Sequence, residues 1–362
     1  ALRLSIESSG ADSDETLQRQ QLLASVLADA GRFAEAEAPA RDALERMTRR
    51  YGRGAAETVS PLICLARVLH EAGRFAEAEP VMDEALEVAR RTRGADHTDT
   101  LFAMHIKASA LKDAGRFDES IAMLQTVIDR RRAMLGPMNT QTLSSMNNLA
   151  ATLQKAGRNH EALTLLKEIH AVRQRVLGPD HLGTLTALSN IAVCHIAMKQ
   201  LDEAEPPLRE ALDGYLRVAG EDHNKTLITM ANLAFLEEDR GRHDDAERLY
   251  RRVIEVRSRG ADPNQPELLA VMNNLAMLLQ SQDKLDAAAA VYADLAERMR
   301  TGLPEGNYMA AIFLNNYGEC LTKLGRLADA EPLLRGSLAD LERALGPEHP
   351  RTAKARARLD DW

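Results

Sequence analysis

Residues 146–166 read MNNLAATLQKAGRNHEALTLL. Met146, Leu149, Ala150 and Leu153 stand at i, i+3, i+4 and i+7, which places one apolar stripe on an α-helix. Gly157 follows, and a second stripe then runs through Ala162, Leu166 and Ile169. A glycine between two helical patterns supplies the left-handed residue with which many helices end. The stretch predicts a helical hairpin that turns at Gly157.

The same phrase returns along the chain. Its turn glycine stands at Gly31, Gly73, Gly115, Gly157, Gly241 and Gly325, with Lys199 and Asp283 in the two remaining places, each step being 42 residues. A second glycine keeps the same period at Gly10, Gly52, Gly94, Gly136, Gly178, Gly220 and Gly346. Six residues behind it come Thr16, Thr58, Thr100, Thr142, Thr184, Thr226 and Thr352. Two markers in one register, with no insertion or deletion, identify a repeat array. A helical hairpin cannot bury its apolar faces alone, so stacking on its neighbours completes the core. Small residues recur on the first helix (Ala24, Ala66, Ala108, Ala150, Ala192, Ala234, Ala276, Gly318) and early in the second (Ala36, Ala78, Ser120, Ala162, Ala204, Ala246, Ala288, Ala330). Closely crossing helices leave room for little beyond Cβ at such points. Asp118, Asp202, Asp244 and Asp286 are the expected N-caps of second helices.

These columns, with the phrases LGPDHLGTLTALSNIA (177–192) and MNNLAATLQKAGRNHEALTLL (146–166), resemble the tetratricopeptide-repeat (TPR) family. The 42-residue period looks most like its kinesin light chain subgroup and the bacterial relatives of that subgroup. The resemblance covers essentially the whole chain and implies an all-α fold, a right-handed superhelical solenoid of antiparallel helix pairs. The expected organisation is the end of a truncated preceding repeat at 1–15, eight repeats over 16–351, and the start of a C-terminal capping helix at 352–362. The repeats begin near 16, 58, 100, 142, 184, 226, 268 and 310. Ala1 to Ile6 reads as a helix end, so a fragment of a longer protein is expected. The connections at 259–267 and 301–309 lack the Gly/His/Thr pattern and carry Pro263, Pro266 and Pro304, which predicts a different shape there. Pro206-Pro207 predicts an irregularity in the fifth second helix.

Composition narrows the function. The chain is 45% hydrophobic but 4% aromatic, too poor in sheet formers for a large sheet. Its net charge of −8 argues against nucleic acid, whose binding needs clustered Lys and Arg. No apolar run approaches the length of a membrane span. Cys64, Cys194 and Cys320 stand far apart, so a reducing cytoplasm is expected and no disulfide framework. Gly220 to Thr226 imitates a phosphate-binding loop, but Asn224 stands where the glycine before the lysine is required. His97, His181, His223 and His349 are separated by whole repeats, so they read as helix-start residues and not as metal ligands. His70-Glu71 and His160-Glu161 lack the second histidine of a zinc-protease helix. No catalytic set, metal site or cofactor site is found.

One column points to binding. Asn148, Asn190, Asn232, Asn274 and Asn316 hold the same place in five consecutive first helices, and Asn147, Asn273 and Asn315 precede three of them. An amide offers a donor and an acceptor, so it can hold a peptide backbone without reading side chains. In TPR proteins this face lines the groove; the competing reading is that asparagine bonds to the neighbouring repeat and stiffens the array. Leu22, Ile63, Cys64, His105 and Ile106 are expected on the same face early in the chain, and Val193, Ile196, Phe235 and Met277 later, with Glu238 and Asp239 on its edge. Asp29, Glu71 and Asp113 repeat at the same spacing and predict an acidic stripe that would favour a basic segment. The expected function is a non-catalytic scaffold that binds a protein or extended peptide, centred on the C-terminal half. The alternatives are a regulatory module of a bacterial serine/threonine kinase or signalling ATPase, and a self-assembling solenoid.

Overall fold

The computed structural model describes residues 13–29, 32–72, 74–260, 265–302 and 307–360. Gly10, Gly31, Gly73, Pro263, Pro304, the expected helix end at Ala1 to Ile6 and the side chain of Asp29 lie outside the described residues. Two compact units divide at Val176. The first holds α1 (Asp14–Asp29), α2 (Phe33–Tyr51), α3 (Val59–Glu71), α4 (Phe75–Arg93), α5 (Thr98–Asp113), α6 (Phe117–Leu135), α7 (Thr140–Lys155) and α8 (Asn159–Leu177), which ends at the division. The second holds α9 (Leu182–Ala197), α10 (Leu201–Ala219), α11 (Asn224–Asp239), α12 (His243–Ser258), α13 (Pro266–Ser281), α14 (Leu285–Gly302), α15 (Tyr308–Lys323), α16 (Leu327–Leu345) and α17 (Pro350–Asp360). No strand occurs among the described residues. Odd-numbered helices are the first members of hairpins and even-numbered ones the second; α17 stands alone. First helices of successive hairpins touch each other, as α3 and α5 do in the first unit and α13 and α15 in the second.

Both turns demand a left-handed residue. Within hairpins Gly115, Gly157, Gly241 and Gly325 have φ between 73° and 77°. Lys199 and Asp283 take the same conformation at 58° and 60°, so the backbone holds its course where the glycine is missing. Between hairpins the glycine and threonine markers prove to be one device. Thr100, Thr142, Thr184 and Thr226 are buried, and each donates its hydroxyl to the carbonyl of the glycine six residues earlier, at 2.7, 3.0, 2.9 and 2.7 Å. Just ahead of the threonine, the Nδ1 of His97, His181, His223 and His349 accepts the N–H two residues on, at 3.0 to 3.2 Å. Asn139 does the same at 2.9 Å. Each of these side chains satisfies one of the free amides at a helix start.

The aspartates do not cap. The N-cap of the second helix is Arg116, Gln200 or Arg242, none with a side-chain cap bond, and Asp118, Asp202 and Asp244 lie inside the first turn. Asp286 lies in the first turn of α14. The helix begins two residues earlier than expected because the residue after the left-handed turn already serves as its boundary. An acid in that turn still favours the positive helix end. The boundary arginine instead grips the acid three residues on: Arg32–Glu35, Arg74–Glu77, Arg116–Glu119, Arg158–Glu161 and Arg326–Asp329, at 2.6 to 2.9 Å.

Both columns of small residues are buried throughout the chain. Gly318 shows why: a Cβ there would lie 2.7 Å from Leu334 Cδ2 and 2.8 Å from its Cγ. Pro206 and Pro207 do not interrupt α10, which runs unbroken to Ala219, so the expected irregularity is absent. Beyond α12 the connection does differ. This helix ends sixteen residues in, whereas α10 runs for nineteen, and Gln265 starts α13 without a side-chain cap and with Pro266 behind it. At α15 the cap is Asn307, which accepts from Met309 N–H at 2.9 Å.

A non-glycine left-handed residue costs roughly 1–2 kcal/mol, less for Asp, and glycine gives part of that back as chain entropy. Lys199→Gly should therefore stabilise the protein by about 0.5–1 kcal/mol, and Asp283→Gly by less. A urea midpoint raised at unchanged slope checks this; a lowered midpoint contradicts the strain.

A column of asparagines on the first helices

First helices carry the asparagine column, and the structure divides it by environment. In the second unit Asn190 on α9, Asn232 on α11 and Asn274 on α13 are half-buried. Among the described residues, no partner is found for the Asn190 or Asn232 amide. The Asn274 amide meets the hydroxyl of Tyr250, which also donates to Glu238 Oε2 at 3.2 Å. Burial raises the pKa of both Tyr250 and Glu238. Phe235 and Met277 keep 40% and 44% of their surface exposed, large for apolar side chains in a helical array. Lys199 lies 5.9 Å from the centre of the Phe235 ring and is held there by Asp239 at 2.7 Å. Val193 is half-buried, whereas Ile196 is buried in the core.

The C-terminal members of the column are occupied internally. Asn316 is buried and donates to Asn273 Oδ1 at 2.9 Å, and Asn315 donates to Ser337 Oγ at 3.0 Å. Arg358 of α17 donates to both of their oxygens, at 2.7 and 2.8 Å, while its other end pairs with Glu319. Arg358 stands one 42-residue period after Asn316, so it takes the place of the next asparagine. Asn273 is also buried and reaches Met277 Sδ at 3.3 Å. In the first unit Asn147 turns back to the Leu143 carbonyl at 2.9 Å, and Asn148 receives Lys112 Nζ at 3.4 Å. Bonding to a neighbouring repeat therefore describes Asn148, Asn273, Asn315 and Asn316, while Asn147 bonds within its own helix. Asn190 and Asn232 have no such role.

Asn273, Asn274, Asn315 and Asn316 line one pocket with Met277, Met309, Ile312 and Phe313 on the apolar side. Arg351, Lys354 and Arg358 of α17 complete it. Sequence reasoning treated 352–362 only as a cap; the 42-residue register was the signal that placed Arg358 on this surface.

In the first unit Leu22, Ile63, Cys64, His105 and Ile106 line one open groove with Phe102 and Arg67. Of the acidic stripe expected there, the two described members, Glu71 and Asp113, are paired with cations. Asp113 pairs with Lys155 at 2.9 Å and His70 at 3.1 Å; burial pulls its carboxyl up, but Lys155 and Lys112 outweigh that and hold it below its usual range. Glu71 lies 3.7 Å from Arg67. His105 carries the opposite perturbation: burial, then the charges of Arg131 and Lys112, lower it from 6.5 to about 4. Its neutral ring lies 3.4 Å from Ser145 Oγ, which accepts from Arg131 at 2.6 Å. The three cysteines are buried, and burial pushes the Cys320 thiol up to about 11, which makes it a poor nucleophile. Among the described residues no group of three His, Cys, Asp or Glu could hold a metal ion, and no helix is long and apolar enough to cross a membrane.

A family model described as tetratricopeptide repeat matches residues 57–133, 141–217, 190–259, 225–301 and 308–359, and a second so described matches 16–54. No curated protein matches the chain. Among solved structures it is similar to the nearly identical TPR-like repeats of a putative kinesin light chain from Podosopora anserina. That pair shares 22% identity over 56% of this chain and 96% of the other, with a TM-score of 0.50. It is also similar to the apo quorum sensor NprR from B. thuringiensis, at 13% identity, 96% and 93% coverage and a TM-score of 0.60. A Rap protein complexed with Competence and Sporulation Factor aligns at 12% identity, 96% and 98% coverage and a TM-score of 0.59. At these identities the likeness is one of fold.

Two measurements separate the roles. Asn316→Ala strips buried partners and should cost about 1–3 kcal/mol, whereas Asn232→Ala should stay within about 0.5 kcal/mol of the parent; equal losses would contradict the division. His105 is neutral in the fold, and the unfolded chain takes up its proton first as pH falls from 6.5 toward about 4. Stability from this group is present above that window and lost through it. His105→Gln should flatten that part of a stability-against-pH curve.

Proposed function

The chain belongs to the tetratricopeptide-repeat family, and on that premise we propose that it is a non-catalytic interaction scaffold whose second unit holds an extended peptide on its first helices. The fold makes it an interaction scaffold; the location and the form of the ligand are our reading. The observation that carries it is the pair of half-buried amides, Asn190 and Asn232, with no partner among the described residues. Asparagine is a mediocre helix former, so two placed at the same point of successive helices and left unbonded are unaccounted for by stability. One amide per repeat can donate to a peptide carbonyl and accept from a peptide N–H. Phe235 and Met277, exposed in the next helical turn on the same helices as Asn232 and Asn274, supply apolar contact for alternate side chains. Such a surface gives affinity from the backbone and selectivity from a few anchors.

The test starts from peptides enriched on the immobilised protein from a random library. Replacing Asn190 and Asn232 together by Ala removes two direct hydrogen-bonding groups, each contributing about 0.5–1.5 kcal/mol. Affinity should fall about tenfold or more, with helicity and melting nearly unchanged. A large loss of stability with unchanged affinity per folded molecule would sink the proposal.

A further inference from the structure

We propose that a cavity in the first unit, between α4 and α5, binds a small neutral aromatic molecule that carries one hydrogen-bond donor, of the phenol type. The site lies outside the asparagine column and does not depend on the groove reading. The cavity has a volume of about 110 Å³, and Phe75, Met82, Ala110 and Leu111 line its apolar side. An apolar cavity of about 150 Å³ takes up a benzene ring, so the space here is on the scale of one small ring.

Two departures from the repeat open it. Lys107 stands where other repeats carry Leu65, Leu149, Ile191, Leu233 and Leu275, each of them 7% exposed or less. The Lys107 ammonium is drawn out to Asp83 of α4. Its stem therefore runs toward solvent, and the place that a branched apolar side chain fills elsewhere is left open. Ala110 is the smallest member of its own column, in which Val68, Thr152, Cys194, Leu236 and Leu278 are fully buried. A void among packed side chains forfeits their contacts and costs stability. Packing alone does not account for it.

The chemistry of the ligand follows from the wall and from one atom. His70 lines the cavity with its ring edge-on to Phe75, the two centroids 5.2 Å apart. Its Nε2 meets Asp113 Oδ2 at 3.1 Å, so in the neutral ring this nitrogen holds the proton and donates it to the carboxylate. Nδ1 is then an acceptor; it is buried and has no hydrogen-bond partner among the described residues. One O–H or N–H on a bound ring would satisfy it. Phe75 and Met82 offer the aromatic and thioether contacts that a ring favours. The charged groups at the cavity are already matched, since Arg116 holds Glu79 at 2.9 Å and Lys107 holds Asp83. A charged ligand gains nothing there, whereas a neutral one leaves those pairs intact.

Phenol and toluene, which differ in the donor and little in size, provide the test. Each is titrated into the full chain carrying carbon-13 at its methionine methyls, with the Met82 signal assigned by its loss in Met82→Leu. Phenol should shift that signal to saturation, and toluene should bind about threefold to tenfold more weakly. His70→Phe, which keeps a ring beside Phe75 and removes Nδ1, should erase the preference. Ala110→Leu, which restores the side chain of Leu236 and Leu278 at this place, should abolish the shift and melt no lower than the parent. Lys107→Leu should act in the same way, so the site remains testable if either variant packs badly. A Met82 signal that phenol leaves fixed, or that moves as before in both filled variants, would overturn the site. Phenol bound no more tightly than toluene, or a preference that survives His70→Phe, would overturn the ligand class.

Discussion

The hydrogen bond from a buried threonine hydroxyl to the carbonyl of a left-handed glycine six residues earlier governs this protein. At the four joints where it occurs, it ties the end of one hairpin to the start of the next first helix. The glycine lets the chain reverse where other residues would be strained, and the threonine then ties the reversal to the helix that follows. Because the joint is the same at Gly94 and Gly136 in the first unit and at Gly220 in the second, side chains one period apart fall on the same face of successive first helices within a unit.

Packing and charge are arranged around the joint. Alanines at both crossing columns let the two helices of a hairpin approach to Cβ contact, and the larger side chains Tyr215, Tyr250 and Tyr292 fill the space farther out. At five of the hairpin turns the following arginine pairs with the acid three residues on, and several of these arginines also reach the preceding hairpin, as Arg116 does to Glu79 at 2.9 Å. Exposed pairs of this kind contribute little singly. Their regularity orients the second helix of each hairpin. The array closes at α17, where an arginine in the register of the asparagines satisfies the last two of them and leaves Arg351 and Lys354 facing the pocket.

Most of the fold was legible because a repeat states the same local rules many times. Glycine and threonine in phase, small residues at the crossings and apolar stripes at helical spacing all concern neighbours within one or two turns or one hairpin. What escaped depended on partners a period away. Asn316 looks identical to Asn232 in sequence, yet Arg358 and Asn273 consume it. Asp113 looked like part of an acidic stripe until Lys155, on the next first helix, neutralised it. Asp118 and its equivalents stand two residues inside the boundary, since the left-handed turn shifts the helix start and no side chain caps it. The position of the candidate site could be read from the asparagines. Which of them are free, and what charge waits at the end of the row, could not.

The central claim is that some asparagine amides are held in reserve for a ligand while others belong to the fold. Side-chain amide resonances of a nitrogen-15-labelled sample report this directly, residue by residue, as a selected peptide is titrated in. The account predicts that the Asn190, Asn232 and Asn274 amide signals move with saturation while those of Asn315 and Asn316 hold their positions. Signals from Asn190 and Asn232 that stay fixed at saturation would contradict it.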